Sequence, residues 1–370
     1  MRRLFFTIAA GAAAVGLLAP GAQAQLFKGK TIEAIVPAGA GGGLTRNAQA
    51  YFKNFPKYLP GNPKVVIKNV VGGGGQRGIN QIYKTGKKDG TQILWGPLNL
   101  TGITIGLPGI EYVPGNFKLA GAAGGMPFVT IVRKDIKGGI ATREDIVTKS
   151  GFNTGGRIPG GSLGLFSRMP FAMLGLQNKF IIGYRNQPRL KAGLLQNEIQ
   201  AITTGNPGFF AFYLNDTLKK GDGVALFQHP SFDADKGDFR KFDHIKGIPR
   251  FIDFYRKVKG GEPSGGAWEA YKWQATFMAY PFWMAMHPDT PDHIHQAMSK
   301  AWLENWKDPA TVALFKKGNK AEPVVLNSAQ ATRIAKTFQT TMPDSAKQWL
   351  QAEFGLAKKA KRAKAPPKKK

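Results

Sequence analysis

Two glycine clusters near the N-terminus each stand between a strand pattern and a helix pattern. The first, residues 38–43, follows the apolar run Thr31–Val36, and the second, residues 72–75, follows the run 64–71. Because glycine has no Cβ, such a turn lets the chain reverse sharply and bring backbone N–H groups against a ligand. A helix that begins there adds unpaired N–H donors and a partial positive charge. Each turn can therefore hold an anion without a dedicated side chain.

Strand and helix patterns alternate through the first hundred residues. The patterns predict strands at Thr31–Val36, 65–67 and 91–95, with helices at 45–58 and 78–84 between them. This order predicts a parallel sheet with crossover helices, which is an α/β fold.

A second series of the same kind follows, and no Ser- or Pro-rich linker separates it from the first. We therefore expect two domains that exchange strands directly. The predicted strands are 128–133, 151–154, 179–184, 199–204, 224–228 and, in the C-terminal third, 277–286. The predicted helices are 142–149, 162–174, 187–196, 291–305, 309–317, 328–341 and 343–354. Ser162 is predicted to be the N-cap of the 162–174 helix.

The first 24 residues have the features of a targeting segment. Arg2 and Arg3 are basic, residues 4–18 are apolar or small apart from one threonine, and Ala-Gln-Ala at 22–24 is a cleavage signal. A membrane anchor is the alternative, but the apolar stretch is too short to span a bilayer. We expect export to the periplasm with cleavage after Ala24.

The chain is cysteine-free and strongly basic. The lack of cysteine excludes disulfides, thiolate metal sites and a cysteine nucleophile. The formal net charge is +29; without Arg2 and Arg3 it is +27, and without the eight basic residues of 358–370 it is +19. The folded part is therefore itself positive and attracts anionic solutes, lipids or nucleic acid. The alternative is an organism whose exported proteins are generally basic.

Two short motifs suggest enzymes but lack the partners that those enzymes need. Residues 73–78 match the dinucleotide fingerprint, yet no acidic residue stands about twenty positions on to bind a ribose. Residues 160–164 match the hydrolase elbow around Ser162, yet a glycine-rich loop precedes them where a buried strand is needed. His293 and His295 are two apart, which places their rings on different helix faces. We therefore predict no catalytic residue, cofactor or metal site.

The aromatic stretch 268–283 is interpreted as core packing rather than a base-stacking surface, so nucleic acid is not an expected partner. The tail 357–370 lacks apolar periodicity and is predicted to be disordered. Its lysines could bind nucleic acid, an anionic membrane surface or an acidic polymer, or form an idle solvated extension. An alternative function thus stays open: a basic envelope adaptor that binds such a surface through its body and tail.

Several segments, taken in order and spacing, carry a resemblance over about residues 27–354. They are Gly29-Lys30-Thr31-Ile32, Ile35-Val36-Pro37, 41–43, 59–63, Val66, Asn69, 72–75, 88–91, 174–176, Gly183-Tyr184, 262–265, Trp268, Tyr271, 288–291 and 308–309. In these the chain resembles the solute-binding proteins of tripartite tricarboxylate transporters, the Bug or TctC-like family.

The resemblance implies a two-lobed periplasmic binding protein fold of type II, in which each lobe is a mixed sheet flanked by helices. The lobes would close on a ligand in the manner of a Venus flytrap. Lobe I would comprise residues 25–127 and 243–356, and lobe II residues 128–242. The implied ligand is a small carboxylate, and the implied partner is a membrane transporter to which a monomeric protein delivers it.

The resemblance also places the ligand against the loops 38–45 and 154–162, with further contacts from the turns at 97–99 and 206–207. The ligand-binding residues expected on this chain are Ala38, Gly39, Ala40, Gly41, Gly42, Gly43, Thr45, Gly74, Pro97, Asn99, Gly156, Arg157, Ser162 and Asn206.

The chain departs from the family pattern just after the first glycines. The family commonly has an aspartate there and an arginine four residues later, whereas this chain has Thr45 and Gln49, with Arg46 nearby. This change favours a more anionic or differently shaped ligand and argues against an amino acid. Arg157 is either a bidentate carboxylate partner or a solvated surface charge.

Overall fold

The computed structural model describes residues 25–356 except 159, 234–235, 243 and 278–279. The predicted targeting segment 1–24 and the predicted tail 357–370 lie outside the described residues. In the described part of the chain, no helix combines the length and the apolar character needed to cross a membrane.

Two main sheets organise the chain. The strands are β1 Thr31–Val36, β2 Lys64–Asn69, β3 Gln92–Gly96, β4 Lys118–Gly124, β5 Phe128–Arg133, β6 Phe152–Gly155, β7 Asn178–Ile181, β8 Ala201–Gly205, β9 Gly223–His229, β10 Phe232–Asp233, β11 Asp238–Phe239, β12 Phe282–Met286 and β13 Val324–Leu326.

The first sheet belongs to lobe I and has the strand order β13-β4-β12-β3-β1-β2. Strand β1 runs parallel to both β2 and β3, as the alternating pattern predicted. Strand β12 is antiparallel to β3 and β4, and β13 is antiparallel to β4. The sheet is therefore mixed.

The second sheet belongs to lobe II and has the order β7-β6-β8-β5-β9. Strand β6 is parallel to β7 and β8, while β5 is antiparallel to β8 and β9. The chain enters this sheet directly, since β4 ends at Gly124 and β5 begins at Phe128. It returns to the first sheet with β12, so the chain crosses between the two sheets twice. Strands β10 and β11 form a separate two-stranded ribbon.

The helices flank these sheets. They are α1 Gly43–Phe52, α2 Gln76–Thr85, α3 Leu100–Ile105, α4 Ser162–Phe166, α5 Met169–Met173, α6 Gln187–Leu195, α7 Asn206–Gly208, α8 Phe251–Lys259, α9 Gly265–Phe277, α10 Asp292–Lys307, α11 Pro309–Asn319, α12 Ser328–Thr337 and α13 Asp344–Glu353. Helix α7 continues into a π-helix at Phe209–Leu218.

Several predicted helices differ from the observed ones. The 45–58 helix ends at Phe52 and is followed by a 3₁₀ turn at Phe55–Tyr58, and the 142–149 helix is a 3₁₀ segment at Glu144–Thr148. The 162–174 helix is split into α4 and α5, since Pro170 in the first turn of α5 has no N–H to continue the ladder.

Two further predictions need correction. Ser162 is not a helix N-cap: Gly161 takes that position, and Ser162 is the first helical residue. The strand predicted from residue 277 begins only at Phe282, because Phe277 is the last residue of α9. Long aromatic side chains suit either element, so the residues between 268 and 283 give no local signal for the change.

Aromatic side chains fill the core of both lobes. Tyr51 stacks on Trp95 with ring centroids 4.6 Å apart, and Trp302 and Trp306 pack on the same tyrosine. In the stretch 268–283, Tyr271, Trp273 and Trp283 are buried, which confirms the packing interpretation.

Candidate functional site

A cavity of about 220 Å³ lies between the two lobes. This volume is smaller than the ~300–1,000 Å³ of pockets that hold drug-sized ligands, so the cavity suits a small metabolite. The first lobe supplies loops after β1 and β3 and the start of α2, and the second lobe supplies loops after β6, β7 and β8. The carboxyl ends of strands from both sheets therefore meet at one crevice.

Six described helices begin at this cavity. Their N-cap residues, which all belong to the lining, are Gly42, Gly75, Asn99, Gly161, Asn186 and Gly205. Each helix start carries N–H groups without an intrahelical partner and the positive end of the helix dipole. Directed at one small space, these helix starts create a positive potential there.

Four of the six helix starts at the cavity have no side-chain cap. The glycines at positions 42, 75, 161 and 205 provide no side-chain cap. At the other two, the side-chain oxygens of Asn99 and Asn186 accept hydrogen bonds from the N–H groups of Gly102 and Arg189. The helix starts at the cavity therefore keep donors that a ligand can use.

The second glycine cluster is built for close approach of the two lobes. All four residues from Gly72 to Gly75 have positive φ, the region that glycine adopts without strain. A Cβ added to Gly74 would overlap the side chain of Ile158, which belongs to the other lobe. In the first cluster, a Cβ on Gly43 would lie 3.1 Å from Cβ of Pro207. The absent side chains thus allow the cleft to close.

Arg157 is the half-buried cation of the cavity. Its Nη1 donates a hydrogen bond of 2.8 Å to the main-chain oxygen of Pro37 in the opposite lobe. Burial lowers the pKa of the guanidinium, and no ion pair involves it among the described residues. The structure therefore does not support the surface-charge alternative.

The lining has charged groups of one sign. Arg157 and the exposed Arg185 contribute positive charge, and no Asp or Glu is among the lining residues that the structure describes. Arg46, the residue after Thr45, lies outside the lining. Its Nε donates to the main-chain oxygen of Gly41, and its guanidinium stacks on Phe212.

Ser162 forms part of a polar bridge in the wall. Its Oγ accepts a hydrogen bond of 3.1 Å from Nε2 of Gln274, whose Oε1 in turn accepts from the hydroxyl of Thr101. The proton of the Ser162 hydroxyl is thus left to donate to a ligand. No histidine is among the hydrogen-bond partners recorded for Ser162 in the described chain.

The structure brings most of the expected site residues together. Those that line the cavity are Ala38, Gly39, Gly42, Gly43, Gly74, Pro97, Asn99, Gly156, Arg157 and Ser162. Ala40 and Gly41 lie in the same turn but are exposed and outside the lining.

Thr45 and Asn206 are also outside the lining, and both are buried. The Thr45 hydroxyl donates to the oxygen of Gly39 at 3.2 Å, which holds the first glycine turn. The Asn206 side-chain amide donates to the oxygen of Asn319 at 2.8 Å. The side chains of Thr45 and Asn206 therefore hold the loops in shape and do not line the cavity.

Other lining residues were not anticipated from the sequence. They include Thr101, Phe128, Tyr184, Arg185, Asn186, Thr203, Gln274 and Trp283. A local signal existed for Asn186, since an Asn two residues before a proline is a helix N-cap pattern. Gln274 lies in the middle of α9 and carries no such signal, because only the tertiary fold brings it to the cavity.

Solved structures of periplasmic binding proteins share this architecture. The chain is similar to the periplasmic binding protein BugD, with a TM-score of 0.62 and 17% identity over 88% of this chain and 97% of that one. A TctC solute-binding protein from Polaromonas gives a TM-score of 0.52 and 18% identity over 84% and 95%.

Two further neighbours were solved with dicarboxylates. MatC from Rhodopseudomonas palustris with bound malate gives a TM-score of 0.63 and 13% identity over 85% of this chain and 98% of that one. Rpa4515 of R. palustris with adipate gives 0.63 and 12% over 84% and 94%. No protein-family model matches the sequence, and no curated protein matches it significantly. The structural neighbours confirm the predicted two-lobed α/β fold, and they include the Bug and TctC proteins that the sequence resembles.

Proposed function

We propose that this chain is a periplasmic solute-binding protein of the Bug and TctC type, which captures a small carboxylate in the cavity between its lobes. The observation that carries the proposal is the convergence of six helix starts on a cavity whose described charged residues are both arginines. Such a site favours a small anion and has no described carboxylate to repel it.

Closure of the lobes strengthens the individual hydrogen bonds to the carboxylate and so raises the affinity of the site. When the lobes meet, water leaves the cavity, and the attraction between a carboxylate and each N–H or guanidinium group rises as the local dielectric constant falls. Arg157 can present two parallel N–H groups to a carboxylate, while its bond to Pro37 ties ligand binding to the closed arrangement.

The structural neighbours with malate and adipate support a dicarboxylate as the ligand class. We further propose that the mature protein begins after Ala24, acts in the periplasm as a monomer and presents its closed form to a membrane transporter. In this proposal lobe I spans 25–127 and 243–356, and lobe II spans 128–242. No catalysis on the ligand is proposed.

Isothermal titration of residues 25–370 tests the function directly. The protein is unfolded and refolded to remove retained ligand, and malate, adipate and a tricarboxylate are each titrated into it. We expect saturable binding of at least one of them and none of adipamide, the uncharged analogue of adipate. Uniform absence of heat from a folded, ligand-free protein would contradict the proposal.

A further inference from the structure

A buried chain of hydrogen bonds leads from the cavity wall at β8, through the second sheet, to Tyr271 on α9. Oγ1 of Thr203 lies 2.8 Å from Oγ1 of Thr130, which lies 2.7 Å from Nε2 of His229. Nδ1 of His229 lies 3.0 Å from the hydroxyl of Tyr271. All four residues are buried, and Thr203 lines the cavity.

The sheet register produces this arrangement. Thr130 on β5 and Thr203 on β8 are direct partners in the antiparallel ladder, so their hydroxyls lie side by side on one face. The imidazole of His229 packs on the rings of Phe166, Phe227 and Tyr271, with centroids 4.9, 5.3 and 5.7 Å away. Burial lowers the pKa of His229 to about 3, so the ring is neutral near pH 7.

A neutral imidazole has one N–H donor and one acceptor nitrogen, so each of its two tautomers supports a continuous chain of donors in one direction. In the outward direction, the Tyr271 hydroxyl donates to Nδ1, Nε2–H donates to Thr130, and Thr130 donates to Thr203. The Thr203 hydroxyl then keeps its own proton for a group in the cavity.

In the inward direction, Thr203 donates to Thr130, Thr130 donates to Nε2, and Nδ1–H donates to the Tyr271 oxygen. The phenol proton is then buried, and no acceptor for it is recorded among the described residues. Since a buried donor without a partner is costly, the outward direction is favoured.

We propose that Tyr271, His229 and Thr130 are positioning residues, which fix the Thr203 hydroxyl as a donor into the cavity and so select ligands with an acceptor oxygen at the β8 wall. This inference rests on the proposed function and adds a specificity determinant to it. A carboxylate oxygen accepts such a bond, whereas an ammonium or amide N–H group at the same place meets a donor.

The test uses residues 25–370 with malate and adipate as probes in isothermal titration. Tyr271→Phe keeps the ring and changes no atom in the cavity lining, yet it removes the donor that orients His229. We expect a rise in Kd of roughly 3- to 10-fold for Tyr271→Phe and roughly tenfold for Thr203→Val. Because both act through one hydroxyl, the double variant is expected to bind no more weakly than Thr203→Val alone.

Tyr51→Phe is the matched control. Tyr51 is also a buried tyrosine, but it lies in a different hydrophobic cluster, where its hydroxyl donates a hydrogen bond to the main-chain oxygen of Trp302. Nitrogen-15 NMR of His229 provides a readout without ligand: the Nε2–H tautomer is expected in the unmodified protein. Observation of the Nδ1–H tautomer overturns the inference.

The binding outcomes separate the two proposals. If the unmodified protein binds neither probe nor any other carboxylate, the proposed function fails and the ligand selection fails with it. If the unmodified protein binds a carboxylate but Tyr271→Phe leaves the Kd unchanged, the function stands and this inference is overturned. The same holds if the free-energy losses of Tyr271→Phe and Thr203→Val add in the double variant.

Discussion

The guanidinium of Arg157 donates a 2.8 Å hydrogen bond to the main-chain oxygen of Pro37, and this bond joins the two lobes across the cavity. Pro37 directly follows β1, and Arg157 lies in the loop after β6. One side chain thus contacts both lobes, and in the proposed function it also binds the anionic ligand. A half-buried arginine whose recorded partner is a neutral carbonyl retains N–H groups for a carboxylate.

Arg157→Gln is therefore expected to raise the Kd for the best carboxylate about 10- to 100-fold, the range for losing a hydrogen bond to a charged group. Arg157→Lys should recover only part of the affinity, since an ammonium cannot form the bidentate contact. Titration calorimetry measures both. Arg46→Gln is the control, because Arg46 is exposed and outside the lining. Equal losses at the two arginines would show only a general charge effect.

Gly74→Ala should impair closure beyond its effect on the backbone. The new Cβ would overlap Ile158 across the cleft, whereas Gly106, also at positive φ, has open space around its Cβ position. Both substitutions cost roughly 1 kcal/mol in backbone conformation, but only Gly74→Ala should weaken ligand binding. Small-angle scattering with saturating ligand should then report a larger radius of gyration for Gly74→Ala than for Gly106→Ala. Identical radii and affinities would argue against a closure role for Gly74.

The free energy of unfolding should decrease in mild acid because His229 is buried in its neutral form. Burial lowers the pKa of this residue to about 3 in the folded protein, below the ordinary value of 6.5. The unfolded state therefore binds more protons between those values, and the contribution of His229 to the free energy of unfolding drops by about 1.4 kcal/mol per pH unit as pH falls below 6.5.

Urea unfolding at pH 7.5, 6.5, 5.5 and 4.5 measures this slope. His229→Gln removes the titrating group, so its free energy of unfolding should change less steeply with pH even if it is lower throughout. His293→Gln, a substitution at an exposed histidine, is the matched control. A His229→Gln slope equal to that of the unmodified protein would contradict the prediction.

Deletion of residues 358–370 distinguishes solute binding from the alternative adaptor function. The carboxylate Kd is expected to stay within about twofold, since the tail's charges are screened over about 8 Å at physiological salt. An adaptor would instead lose binding to an acidic polymer or to anionic vesicles, with a steep salt dependence before the deletion. A control variant keeps the tail but replaces its lysines and arginine with glutamine. It separates the effect of the tail's charge on binding from the effect of its length. Loss of carboxylate binding in both variants would count against a site confined to the cavity.

Local signals in the sequence predicted much of the first sheet. Strands β1, β2 and β3 and helix α2 lie within two or three residues of their predicted bounds, because apolar runs and glycine turns are local features. Strand β4 was missed, since its small residues, including Gly121, give no alternating pattern. The structure explains them: a Cβ at Gly121 would overlap the indole of Trp302.

The sequence by itself determined the backbone character of the site. It placed glycines where helices begin: Gly75 adopts a positive φ, and a Cβ on Gly205 would lie 2.8 Å from the Phe128 ring. Only the tertiary structure decided what faces them: Arg157 against Pro37, Ile158 against Gly74, and Thr203 and Gln274 in the same wall. These pairings join residues far apart along the chain. They depend on how the two sheets pack against each other, and a local pattern of residues does not predict that packing.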